Sequence, residues 1–90
     1  MAIVGAFARV DPQDVAATRQ RLDALAGVST FDLDRPEKVG ILIEAADIDA
    51  AHAVLTGPVK QAAGVWGVWP VFVHSEADEE QVRQAVSKQA

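Results

Sequence analysis

The chain has 90 residues, half of them apolar, and carries 13 acidic against 8 basic side chains for a formal net charge of −5. A chain of this size buries only roughly 60–65% of the surface it exposes when unfolded, so there is room for one core of two packed layers and no second domain. The absence of cysteine removes disulfides, thiolate metal sites and cysteine nucleophiles, and it favours an intracellular address.

Seventeen alanines thin the core and require helices that lie close against a sheet. No apolar run reaches the ~18–20 residues that span a bilayer, and no basic region with an apolar stretch and cleavage site opens the sequence. The chain therefore reads as a cytoplasmic protein that neither enters a membrane nor exports itself. Without a basic cluster it is also a poor candidate for nucleic acid, whose binding depends on neutralising phosphates.

In chain order, residues 2–10, AIVGAFARV, read as a strand closed by Asp11-Pro12. Asp11 fits a helix N-cap with Pro12 at the first helical position, and Val10 and Val15 have the spacing of a hydrophobic staple. Val15, Thr18, Leu22 and Leu25 recur at helical intervals, which predicts a helix over 12–26 ended by Gly27. A strand follows at 28–34, with Phe31 and Leu33 on one side and Thr30 and Asp32 on the other. A turn at 34–38 leads to another strand at 39–45, where Val39, Ile41 and Ile43 alternate with Gly40, Leu42 and Glu44. Asp47 caps a second helix over 47–62 that Gly57-Pro58 interrupts. The last strand, 65–74, contains Pro70, which cannot donate to a ladder and so belongs at a sheet edge or in a bulge.

This β-α-β-β-α-β order is the split arrangement of ferredoxin-like α+β folds, over residues 1–75. Right-handed crossovers place both helices on one face of a four-stranded antiparallel sheet of order 4-1-3-2. Residues 76–90 open with acids and offer only Val82, Ala85 and Val86 as a weak stripe, so they read as an acidic tail, disordered or partly helical.

If Val10 faces the helices, alternation leaves Ile3, Phe7 and Arg9 of the first strand on the open face. Leu42 and Glu44 of the third strand and Thr30 and Asp32 of the second join them. Both faces of the fourth strand are apolar and a bulge can change its parity; the preferred assignment puts Trp69, Val71 and Val73 in the open and Val68 and Phe72 inside. Such a patch of Ile3, Phe7, Leu42, Trp69, Val71 and Val73, rimmed by Arg9, Asp32 and Glu44, is large for a monomer. A second copy, the chain's own tail and a heterologous ligand are all candidates to cover it.

No catalytic constellation is visible. His52 and His74 lie on separate elements, no metal-ligand spacing occurs, and no cofactor is implied. The asparagine that acylphosphatases of this topology need, and the CxxC loop of metallochaperones, are both missing.

The first strand IVGAFARV, the helix ending RLDALAGV, the acid-bordered LIEAADI, the last strand GVWGVWPVFVH and the acidic EADEE follow one another in an order that resembles the NapD family. These are small cytoplasmic chaperones for the catalytic subunit of periplasmic nitrate reductase. Trp66, Trp69, Pro70 and Gly57-Pro58 depart from the family's pattern. The resemblance implies a protein that is not an enzyme. It would bind the twin-arginine signal peptide of this molybdoenzyme and delay its export until the molybdenum cofactor is inserted. An apolar platform of Ile3, Phe7, Leu42, Trp69, Val71 and Val73 would take the apolar part of such a peptide, and Glu44, Asp32 or Asp34 its guanidinium groups. Two other classes share the topology. One is a ligand-sensing or dimerising regulatory domain of the ACT or AsnC type; the other is a dimeric cofactor-free oxygenase, which needs a pocket lined by polar catalytic groups.

Overall fold

A computed structural model describes residues 2–74 and 79–89. Four strands, β1 (Ala2–Val10), β2 (Val28–Asp32), β3 (Lys38–Ala45) and β4 (Val65–His74), form one antiparallel sheet of order β2-β3-β1-β4. Helices α1 (Val15–Asp23) and α2 (Ile48–Val54) lie on one face, and a further helix, α3 (Glu79–Gln89), lies on the other. The fold is ferredoxin-like, as the order of elements predicts, with β4 at an edge where Pro70 needs no ladder donor. No helix among the described residues is long and apolar enough to cross a membrane.

The core under α1 and α2 is built from alternate residues of the central strands. Val4, Ala6, Ala8 and Val10 of β1 and Val39, Ile41 and Ile43 of β3 meet Leu22 of α1, Ala51 of α2 and, just beyond α2, Leu55 and Val59. Ala6 and Ala8, both fully buried, keep the sheet's side of this core small. The parity expected from the Val10 staple therefore holds along β1 and β3.

The first helix is shorter than its expected span, while the second fills its own, with a π-helical turn at the expected interruption. α1 starts at Val15 because the Asp11 carboxylate accepts from the Gln13 N–H at 2.9 Å, and the Asp14 N–H donates to the Asp11 carbonyl at 3.0 Å. Asp14, at φ −137°, lies outside the helical region, so the regular helix begins one residue later. Asp47 does cap α2, accepting from the Ala50 N–H at 2.7 Å. After Val54 the helix continues as a π-helical turn over Leu55–Val59 that contains Pro58. A wider turn lets the chain pass a residue without a backbone N–H while Leu55 and Val59 stay on the core side.

The facing of β2 corrects the sequence reading. Thr30 pairs with Ile41 and Asp32 with Val39, both on the α1/α2 side, while Phe31 pairs with Gly40 and reaches the other face with Leu33. The sequence reading puts Thr30 and Asp32 on the open face, with Phe31 and Leu33 on the side opposite them. Apolarity cannot discriminate here, because both faces of this sheet bury apolar side chains.

β4 carries a bulge. Trp69 pairs with Phe7 and Pro70 with Ala6, but Gly5 is opposite Phe72, so Val71 is the extra residue. Between this bulge and a second register shift at Trp66 the expected alternation is observed, with Val68 against the α1/α2 core; on the far side of that shift Val65 packs on the same core. Beyond it the register sets Phe72 opposite Gly5 and Val73 opposite Val4, the reverse of the expected order; the side chains of Phe72 and Val73 lie outside the described residues.

Candidate functional site

The second face of the sheet gathers Ile3 and Phe7 from β1, Leu42 from β3, Phe31 from β2, Leu33 just beyond it, and Val71 from β4. Val82 and Val86 of α3 close over Ile3 and Leu42, and both valines are fully buried. The face that sequence reading left open is thus occupied in part by a helix of the same chain.

α3 lies along β1, β3 and β4. Val82 and Val86 are one i, i+4 pair, and Glu80, Gln81, Gln84, Ser87 and Lys88 are exposed. Each valine contributes about 1.5–3 kcal/mol by burial. A helix of 11 residues is marginal in isolation, so its helicity depends on its seat. Arg83 adds a cation–π contact, its guanidinium carbon 5.5 Å from the centroid of the Phe31 ring. Beside that contact an open groove runs between β2 and α3, lined by Phe31, Arg83 and Ser87 among others.

Toward the other end of the face an aromatic pair extends into solvent. The Phe7 and Trp69 rings stack with centroids 5.3 Å apart and 19° between planes, and the Lys38 ammonium lies 5.6 Å from the Phe7 centroid. Trp69 is 45% exposed and Trp66, farther along the edge strand, 65%. Two glycines make the aromatic arrangement possible. A Cβ on Gly67 would come 2.9 Å from the Trp69 indole, and one on Gly40 would overlap the Phe31 ring. Each ring therefore lies against backbone that no larger residue could supply.

The charged rim is divided. Arg9, exposed, sits in register between Lys38 and Gly67 at the aromatic end. Glu44, half-buried, is paired with Ile3 at the opposite end. Asp32 is on the other face: it forms an ion pair with Arg19 of α1, whose Nε also donates to Thr30 Oγ1 at 3.2 Å. The Asp23 carboxylate accepts from the Thr30 N–H at 2.8 Å, which completes a polar clasp between α1 and β2. Of the nine residues selected from sequence, Ile3, Phe7, Arg9, Leu42, Glu44, Trp69 and Val71 share the face, Asp32 does not, and the Val73 side chain falls outside the described residues. Phe31, Leu33 and Lys38 belong to the face and were missed. Phe31 and Leu33 lie two residues apart, in the same alternation as the other platform residues; only their parity was misread.

Among the described residues no group of three or more His, Asp or Glu side chains is arranged to hold a metal ion.

No family model matches the sequence, and no curated protein does. Solved structures share the fold. The solution structure of the Escherichia coli Tat proofreading chaperone NapD is similar at a TM-score of 0.69 and 18% identity, over 86% of this chain and 80% of that one. The crystal structure of TTHA0845 from Thermus thermophilus gives a TM-score of 0.73 at 18% identity, over 87% and 98% of the two chains. Escherichia coli AsnC gives 0.64 at 17% identity over 82% of this chain, which spans about half (52%) of the AsnC chain.

Proposed function

We propose that this protein is a cytoplasmic chaperone of the NapD kind, which holds the twin-arginine signal peptide of the periplasmic nitrate reductase catalytic subunit until its molybdenum cofactor is in place. The observation that carries the reading is the second sheet face: apolar, seated by one amphipathic helix of the chain itself, and extended by the exposed Phe7–Trp69 pair. The likeness in fold to NapD supports it.

The chemistry follows from the division of charge. A twin-arginine signal joins two guanidinium groups to an apolar stretch. The arginines fit the Glu44 end, where a carboxylate brings negative charge to the face, and are repelled from the Arg9 and Lys38 end. The apolar stretch then runs across Ile3, Leu42, Val71 and Phe7 to Trp69. No bond is made or broken. A bound signal is withheld from the export machinery by mass action alone.

Calorimetric titration with a synthetic peptide carrying two consecutive arginines and an apolar stretch tests the proposal. Tight binding that weakens when both arginines become lysines supports it, because lysine keeps the charge and loses the planar fork. Equal affinity for both peptides leaves an unspecific apolar surface and removes the signal-peptide reading.

A second reading, supported by the likeness in fold to AsnC, is a dimerising regulatory domain. The exposed Trp66 and Trp69 on the edge strand would then meet a second copy. Sedimentation of the purified protein separates the two: a stable dimer that ignores the peptide supports the regulatory domain.

A further inference from the structure

Resting on the chaperone reading, we infer that α3 is a competitor carried within the chain for the face that binds the client, and that the client displaces it. The helix and an incoming apolar segment want the same ground. Val82 and Val86 are buried against Ile3 and Leu42, the centre of the platform, so a peptide cannot reach those side chains while α3 is seated.

α3 rests along β1, β3 and β4, but its fully buried side chains are one i, i+4 pair of valines, its outer side is polar, and an open groove separates it from part of β2. At 11 residues the helix is too short to persist once unseated, so lifting it and losing its helical structure are one event. A client with larger apolar side chains than two valines gains more from the same face and wins the exchange.

Trp69 provides the way in. It is 45% exposed, yet it stacks on Phe7, which itself packs against the cluster under α3. A peptide first lodged on Trp69 is therefore adjacent to the ground it must take. Short apolar segments that contact only the aromatic pair do not repay the removal of α3 and are rejected, which makes the helix a filter for length as well as a cover for the free protein.

Hydrogen exchange on the full chain and peptide titration of two variants test this. In the free protein the α3 amides exchange at least a hundredfold faster than those of β1 and β3, because α3 opens without global unfolding. On addition of the twin-arginine peptide the α3 amides lose their remaining protection while β1 and β3 gain. The full-chain V82D/V86D variant, which unseats α3, binds the peptide about tenfold more tightly than the unmodified protein. S87A, which raises helix propensity at an exposed position, binds about twofold more weakly. Should V82D/V86D fail to fold, the exchange experiment and S87A stand by themselves. Peptide binding that leaves α3 protected, or that is unchanged in V82D/V86D and S87A, overturns the competition and keeps the chaperone reading. Absence of peptide binding in every protein removes both.

Discussion

Trp69 stacks on Phe7 across the β1–β4 pairing at 5.3 Å and 19°, and the indole reaches that position by lying over Gly67, the residue in register with Arg9. Nearly half of Trp69 remains in solvent, so the stack does little to hold the fold. Trp69→Ala is expected to lower stability by less than about 1.5 kcal/mol while reducing peptide affinity at least tenfold. Urea denaturation and calorimetric titration of the same sample measure the two effects.

Phe7→Asp adds a test of charge on that surface. The side chain is half-buried and belongs to no part of the core beneath α1 and α2. Peptide binding is expected to vanish with the circular dichroism spectrum retained. Leu42, in contrast, is 1% exposed under α3, and Leu42→Asp is expected to unseat the helix and destabilise the protein. The two variants therefore separate surface from second core.

Leu22 and Leu55 anchor the helical layer and are almost fully buried. Replacing either by alanine is expected to cost about 2–5 kcal/mol, the range for large-to-small changes in a packed core. The midpoint of chemical unfolding reports it, and peptide affinity per folded molecule should not change.

Gly40 and Phe31 form a dependent pair, with the ring lying where a Cβ at 40 would be. Gly40→Ala is expected to destabilise by about 1–3 kcal/mol, as overpacking does. In a Phe31→Leu background the same change should cost clearly less. A double-mutant cycle with additive effects would contradict the contact.

Asp32 distinguishes the two faces. Its partner is Arg19 of α1 and its side chain is 88% exposed, so Asp32→Asn is expected to change stability by less than about 1 kcal/mol. It should leave the arginine-over-lysine preference intact, whereas Glu44→Gln should reduce it, with the difference fading at high salt.

The order of elements was legible because its boundaries carry local causes: Asp11-Pro12, Gly27, the turn at 34–38 and Asp47 interrupt apolar alternation at the right intervals. The facing of β1 and β3 followed from the single Val10–Val15 pair. What alternation could not supply was the side on which Phe31 and Leu33 lie, since it tells a buried position from an exposed one and says nothing about which of two buried faces is meant. Pro70 marked the place of a bulge, but whether parity changed there was hidden, because the strand is apolar on both faces. Val82 and Val86 were visible as a weak stripe. That they cover Ile3 and Leu42 depends on the sheet having a second apolar face, which only the register of all four strands defines.

Ile3 and Val86 occupy one cluster although they stand near opposite ends of the described chain. The β1 residue therefore waits for a contact that emerges from the ribosome after all four strands. Closing so long a loop is slow relative to pairing the hairpin of β2 and β3. Until the last residues have been synthesised, Val82 and Val86 are not there to cover Ile3 and Leu42, so the burial of the first strand's second face is completed by the end of the chain.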